Sequence, residues 1–495
     1  MKVLLVSPEF PDTFWSFRHA LRFVRKRAAI PPLGLVTVAA MLPGEWEVRL
    51  IDLNVEALRE ADLRWADSVW IGGMSVQAPS ALTVIQWCRK LSVPTVVGGP
   101  MATCEPERFI DADHLVLNEA EVTLPPFLND LAAGVARRVY SDLAKPDLTR
   151  TPTPRWELLK MRRYGSMAVQ YSRGCPYDCD FCNVTALLGK RPRTKTPEQM
   201  VAELDALYRR GWRNSVFFVD DNLIGNRREV RKLLPALTAW RAGKKPTPFY
   251  TEASINLADD VELQQEMVAA GFDTVFVGIE TPDETALAEC RKKQNLGRDL
   301  VADVRKLHRA GLQVQAGFIV GFDSDTTSIF QRQFDFIQQS GIVTAMVGVL
   351  QAPVGTRLFQ SLAAQGRLRG DLSGDNVDGT TNVVTKMPLE TLMAGSRSIM
   401  SRVYAPDAYY QRVKRFLSDY AAPPVKTPLR MSLVAAFFRS CWRLGVLKPG
   451  RWQYWKLLAW TLTRHPQHFA LAVRLWVYGH HFREVCRLRL GVSAS

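Results

Sequence analysis

The sequence predicts an α/β protein: an N-terminal doubly wound parallel sheet, a central partial β/α barrel of six strands, and a mainly helical C-terminal region. Three observations predict it. Residues 1–135 alternate short β-rich runs with helical stretches, the same rhythm resumes over residues 166–350 after a proline-rich interval, and residues 427–495 interleave cations with aromatics in helical fashion. The chain of 495 residues is long enough for several domains, and 47% hydrophobic with 23% charged residues is a globular composition that excludes global disorder and fibrous repeats.

In the first rhythm, spanning residues 1–135, the candidate strands are Val3–Val6, Val48–Ile51, Ser68–Ile71, Thr95–Val97 and His114–Leu117. A doubly wound sheet binds ligands beyond the carboxyl ends of its strands, and the segments found there are Ser75–Ser80, Gly98-Gly99-Pro100 and Asn118–Glu121. The opening apolar run is too short for a signal-peptide core, and no stretch reaches the roughly 18 apolar residues of a membrane span. A cytoplasmic enzyme is therefore expected.

Residues 136–165 read as a linker, because Pro146, Pro152 and Pro154 interrupt both helix and inner strand. The central segment, 166–350, offers strands near Met167–Tyr171, Ser215–Val219, Phe249–Ala253, Thr274–Gly278, Val314–Val320 and Ala345–Leu350. Residues 351–426 form a C-terminal extension of that segment, with a polar, turn-rich stretch at 370–381. The tail from 427 carries eleven Arg and Lys against the single acid Glu484, so it holds most of the net charge of +15.

Three of the eight cysteines lie in Gly174-Cys175-Pro176-Tyr177-Asp178-Cys179-Asp180-Phe181-Cys182, directly after the first barrel strand. Three thiolates on one short loop can each hold one iron of a [4Fe–4S] cube and leave the fourth iron open. A closed zinc site would need a fourth ligand at paired spacing, and Cys88, Cys104, Cys290, Cys441 and Cys486 supply no partner motif. The loop also lies at the carboxyl end of a barrel strand, where barrel enzymes place their chemistry.

With its C-x3-C-x2-C spacing and Phe181 before the last cysteine, this loop resembles the hallmark of the radical S-adenosylmethionine (SAM) superfamily. The resemblance implies that Cys175, Cys179 and Cys182 bind the cluster and that SAM chelates its open iron. Electron transfer from an external donor such as flavodoxin or ferredoxin then cleaves SAM to a 5′-deoxyadenosyl radical. Later strand ends offer the SAM contacts the resemblance implies: Asp220, Asp221 and Asn222, then Glu252 and Ser254, then Glu280, with Phe181 and Ile319 as apolar neighbours. The run Arg291, Lys292, Lys293 could supply a cation for the SAM carboxylate, although a charge run is more often a solvated face.

A doubly wound domain in front of such a barrel resembles the cobalamin-binding branch of the superfamily, through Ile30–Leu35, Gly98-Gly99-Pro100 and Glu119-Ala120-Glu121. It implies cobalamin contacts from Ser75, Gly98, Gly99 and Glu119. The histidine of a D-x-H-x-x-G signature is absent, since Asp52 is followed by Leu53 and Asn54. The expected function is a cobalamin-dependent C-methyltransferase acting on an unactivated carbon of a small-molecule or lipid substrate. The alternative is a radical SAM enzyme performing cyclisation, oxidation or rearrangement without functional cobalamin, and a third reading is a noncatalytic iron–sulfur sensor. No nucleic-acid-binding module is evident. The basic aromatic tail suggests peripheral contact with the inner face of a membrane, while a helical layer packed on the barrel accounts for the same composition.

Overall fold

The structure is a computed structural model that describes residues 1–370, 372–375, 377–421, 431–489 and 491. Parts of two sequence-based expectations lie outside the described residues: 371 and 376 of the turn-rich stretch, and 427–430, 490 and 492–495 of the basic tail.

Strands β1 (Lys2–Ser7), β2 (Glu47–Asp52), β3 (Ser68–Gly72), β4 (Thr95–Gly98), β5 (His114–Val116) and β6 (Val139–Tyr140) form a parallel sheet in the order β2-β1-β3-β4-β5-β6. The apolar run of β1 is buried on both faces because alternate residues point to opposite sides. Leu4 and Val6 pack with the helix Ala78–Lys90, while Val3 and Leu5 pack with Leu124 and Phe127 of the helix Ala120–Ala132. The strand order reverses at β1, which makes the carboxyl ends of β1 and β3 the switch point of the sheet.

The interval read as a linker contributes more than a tether. Its first residues form β6, an edge strand too short to show a period. The remainder is irregular but packed: Tyr164 is fully buried, and its Oη donates to Asp52 Oδ2 at 2.8 Å.

The second sheet begins with β7 (Met167–Val169), followed by a small hairpin of β8 (Ser172–Arg173) and β9 (Arg193–Thr194). It continues through β10 (Val216–Phe218), β11 (Phe249–Glu252), β12 (Phe272–Glu280), β13 (Gln313–Val320) and β14 (Thr344–Val349). The order β14-β13-β12-β11-β10-β7, all parallel, is that of an open six-stranded β/α barrel. One face packs on its helices, as where Phe249 meets Trp240. The opposite, inner face carries the half-buried residues Phe217, Tyr250, Glu252 and Phe276.

That inner face is aromatic. Phe217 stacks on Tyr250 with centroids 4.6 Å apart, and Phe276 meets Trp15 edge-on at 5.3 Å. Trp15 arrives from an N-terminal turn whose Phe14 stacks on Phe482 of the helix Phe469–Arg489 at 4.1 Å. The N-terminal turn and the last helix therefore jointly cover part of the inner face.

The C-terminal extension and the tail pack as one helical layer: Tyr409 of the helix Pro406–Asp419 donates through its Oη to Leu475 O, and Trp476 is fully buried beside it. Among the described residues no helix is long and apolar enough to cross a membrane.

Candidate active site

The cysteine loop is set by the end of β7. Asp220, fully buried after β10, accepts hydrogen bonds from the backbone N–H groups of Tyr171 and Ser172 and pins the chain as it leaves the strand. Gly174 then takes a φ of 98°, and a Cβ there would lie 2.8 Å from Gly189 O and 3.0 Å from Arg191 O. Only glycine fits this turn. Cys175 N donates to Gly189 O at 3.2 Å, and Cys182 N to Cys179 O at 3.1 Å, which folds the three thiols onto one loop.

Burial pushes all three thiols up, Cys182 to about 12, while the Lys292 ammonium favours the thiolate of each. Asn222 Nδ2 stands 4.0 Å from Cys175 Sγ and Gln294 Nε2 3.8 Å from Cys179 Sγ, so polar N–H groups already face two of the sulfurs. Among the described residues no three His, Cys, Asp or Glu side chains gather around a single metal ion. A cube takes its thiolates on three different irons, so the donors need not converge on one point. Three desolvated thiols with N–H donors and a buried cation beside them fit such a cluster.

A chain of hydrogen bonds ties the next strand ends to this loop. Ser254 N donates to Asn222 Oδ1 at 3.1 Å, Ser254 Oγ to Asn256 Oδ1 at 2.7 Å, and Asn256 Nδ2 to Tyr177 Oη at 2.8 Å. Of the expected SAM residues, Asn222 and Ser254 thus brace the loop. Asp220 does too, through the two backbone N–H groups its carboxylate accepts from.

Asp221 and Glu252 differ. Asp221 Oδ2 is buried without a partner, and burial pushes this carboxyl up to about 6. Burial, then the neighbouring Asp221 and Asp220, push Glu252 up to about 8. Two neighbouring, under-compensated acids are a ready receptor for a cation.

Opposite them, Glu280 adopts φ 66° where the β12–β13 register shifts, and its Oε1 lies 2.7 Å from Lys292 Nζ. Burial alone would lower Lys292, but Glu280 and the cysteines outweigh it and keep the ammonium charged. Lys292 is thus singled out from the basic run, whereas Arg291 turns toward Asp180 at 3.5 Å. Phe181 and Ile319 join one apolar cluster with Phe322 and Leu350, and Lys292 Nζ sits 5.8 Å from the Phe181 centroid.

The front sheet meets this site through a buried ionic junction that the sequence did not disclose. Arg173 donates to Glu119 at 3.0 Å and to both oxygens of Glu121 at 2.9 Å, and Arg193 donates to Glu119 Oε1 at 2.9 Å. Glu119, expected among the cobalamin contacts, therefore has its carboxylate occupied by arginines. Its position before Arg173-Gly174-Cys175 in space has no sequence signal, because the two segments lie more than fifty residues apart.

The other expected cobalamin residues lie at the carboxyl ends of β3 and β4, beside the switch point. Gly72-Gly73 and Gly98-Gly99 end β3 and β4, and a Cβ on Gly98 would lie 2.8 Å from Val116 O and one on Gly99 3.3 Å from Gly73 O. These glycines let neighbouring backbone close on the strand ends, and they place no side chain in the way of a ligand lying beyond them. Ser75 lies beside Gly374 of the turn-rich stretch, where a Cβ would come within 3.2 Å of Ser75 Cβ. The Asn54 amide, at the place of the missing histidine, is engaged by Phe10 N, Pro8 O and Asp52 Oδ1.

Comparison with known proteins agrees with this construction. Family models for a B12 binding domain match residues 26–128, for the radical SAM superfamily residues 169–337, and for a domain of unknown function (DUF4070) residues 356–491. An uncharacterized methyltransferase of Synechocystis sp. is 40% identical over 99% of this chain and 94% of its own length. Hopanoid C-2 methylase of Rhodopseudomonas palustris is 34% identical over 97% of this chain and 92% of its own. Among solved structures, the cobalamin-dependent SAM radical enzyme OxsB, with aqua-cobalamin and SAM bound, superposes with a TM-score of 0.63 at 14% identity, covering 99% of this chain and 79% of that one.

Proposed function

This chain belongs to the radical SAM superfamily, in the cobalamin-dependent methyltransferase branch, and from that membership we propose that it methylates an unactivated carbon of a polycyclic isoprenoid lipid of the hopanoid type. Its cofactors are a [4Fe–4S] cluster, SAM and cobalamin. The observation that carries the substrate class is the aromatic inner face of the barrel. Phe217, Tyr250, Phe276 and Trp15 line it with packed aromatic rings, which supports a rigid hydrocarbon better than a polar metabolite.

When bound, the cofactors supply the electron that cleaves SAM, the radical that removes a hydrogen atom, and the methyl group. The chain itself positions and shields. Cys175, Cys179 and Cys182 hold the cluster; Asp221 and Glu252 receive the SAM ammonium; Phe181 and Ile319 pack its apolar parts. Gly98 and Gly99 give cobalamin close access to the backbone of the front sheet. The aromatic face holds the lipid and excludes water. A small redox protein such as flavodoxin or ferredoxin delivers the electron, and the enzyme works at the cytoplasmic face of the membrane that stores its substrate.

The test is anaerobic purification with iron, sulfide and cobalt measured, followed by incubation with SAM, a strong reductant and an unmethylated hopanoid. Expected are deoxyadenosine and a product heavier by one methylene. Replacing Cys175, Cys179 and Cys182 together with Ala should remove iron and deoxyadenosine; SAM cleavage that survives refutes the reading. Turnover of SAM with unchanged hopanoid would overturn the substrate class alone.

A further inference from the structure

The tail's aromatics divide into two groups. Trp476 is fully buried and Phe437, Trp460 and Phe469 pack against the core, whereas Phe438 (65%), Trp442 (62%), Leu447 (60%) and Trp452 (68%) are exposed. The exposed group is not scattered. On the helix Met431–Trp442 the residues Met431, Ala435, Phe438 and Trp442 recur at helical spacing along one stripe. On the helix Arg451–Arg464 the residues Trp452, Trp455, Ala459 and Leu462 do the same.

The two stripes are joined by a built contact. Trp455 Nε1 donates to Gly445 O at 3.0 Å, and a Cβ on Gly445 would lie 2.9 Å from the Trp455 ring. Gly445 sits in the π-helical segment Arg443–Leu447, which also exposes Val446 and Leu447 between the stripes. The exposed apolar residues of the two tryptophan-bearing helices are thus linked through this connecting segment.

The charges carried by these elements themselves are of one sign, with the exposed Asp407 of a neighbouring helix accepting from Gln453 Nε2 at 2.9 Å. Arg443, Arg451, Lys456 and Arg464 are exposed on these elements and, among the described residues, pair with no carboxylate. The single acid of the tail, Glu484, is already held by Lys448 at 2.7 Å and Arg487 at 3.0 Å. A second copy of the chain docking through the same face in a two-fold dimer would bring cations against cations. An anionic bilayer supplies both complements: acyl chains for Leu447, Val446 and Leu462, headgroup phosphates for the cations, and an interfacial layer that tryptophan favours.

We propose that this face, centred on Trp442, Leu447 and Trp452, docks the protein on an anionic membrane surface. The inference deepens the lipid-substrate reading but is scored separately, because docking needs neither reductant nor SAM turnover.

The experiment is flotation of the full-length protein with vesicles of phosphatidylcholine alone or containing about one third phosphatidylglycerol. The wild type should float with the anionic vesicles, at least about tenfold more than with neutral ones, and less at high salt. The double variant Trp442→Ser/Trp452→Ser should lose about tenfold or more, and Arg451→Glu/Lys456→Glu should lose the preference for anionic lipid. Unchanged deoxyadenosine production shows that both variants are folded, since none of these residues touches the site. Equal flotation of wild type and the tryptophan variant would overturn the proposal. So would a concentration-dependent dimer that the same variant abolishes, or single-stranded oligonucleotide binding that depends on these tryptophans and excludes vesicles.

Discussion

Glu280 holds Lys292 at 2.7 Å across the space that Gly278 leaves empty: a Cβ at Gly278 would lie 2.2 Å from Glu280 Oε1 and 2.7 Å from Lys292 Nζ. The pair also depends on Glu280 keeping φ 66°, a conformation that non-glycine residues adopt only under constraint. Three residues thus fix one ammonium beside the cluster cysteines.

Gly278→Ala should therefore break this arrangement without touching a cysteine. We expect iron content within about 20% of wild type but a SAM dissociation constant raised about tenfold, roughly 1.4 kcal/mol. Equilibrium dialysis of reconstituted protein measures it; SAM affinity equal to wild type would show that the pair is dispensable.

The Arg173 junction couples the front sheet to the cysteine loop, and its side chains are almost wholly buried. Removing one partner of such a pair strands the others and costs about 3–5 kcal/mol. Arg173→Met should lower the denaturation midpoint and expose the 136–165 interval to protease. It should also raise the ratio of deoxyadenosine to methylated product, because the radical site would form without the front sheet held in register. An unchanged ratio alongside lower stability would reduce the junction to a structural tie.

Glu252, pushed up to about 8 by burial and by Asp221 and Asp220, is mostly protonated at pH 7. The SAM ammonium, received there as proposed, would favour the carboxylate, so binding at pH 7 should release a proton, and affinity should rise with pH until about 8. Calorimetry in buffers of different ionisation enthalpy detects the release, and Glu252→Gln should abolish it. Equal heats in all buffers would place the ammonium elsewhere.

How much of this was legible in the sequence follows from the length of each signal. Every strand read from residues such as Val3–Val6 or Val314–Val320 forms, because a short run rich in β-branched and apolar residues announces itself. Val139–Tyr140 and the β8–β9 hairpin are two residues per strand and carry no period. The cysteine loop was legible because its donors are consecutive. Lys292 was visible only as one of three adjacent cations, and its selection depends on Glu280, twelve positions away, turning through a strained residue. The arginine partners of Glu119 have no sequence signal, because Arg173 and Arg193 reach it from another sheet. The backbone partners of Asp220 are likewise invisible, because no side-chain pattern records them.

His308 yields the last prediction. It is fully buried, packs edge-on against Phe416 at 4.8 Å, and neither ring nitrogen has a hydrogen-bond partner. Burial pushes it down to about 3, with Asp419 opposing and Arg305 reinforcing the shift. The native state therefore keeps the ring neutral while the unfolded chain protonates near pH 6.5, so this residue's contribution is complete above 6.5 and is lost as pH falls toward 3. Each pH unit in that window removes about 1.4 kcal/mol per such group. The buried acids Asp220, Asp221 and Glu252 act with the opposite sign, since they bind protons in the native state first. The total slope consequently mixes both signs, and the difference between wild type and His308→Leu isolates one. That difference in unfolding free energy, from urea titrations, should be constant from pH 8 to about 6.5. Below that it should move in favour of the leucine variant by about 1.4 kcal/mol per unit. A difference that stays flat down to pH 5 would mean the ring takes up its proton in the folded protein.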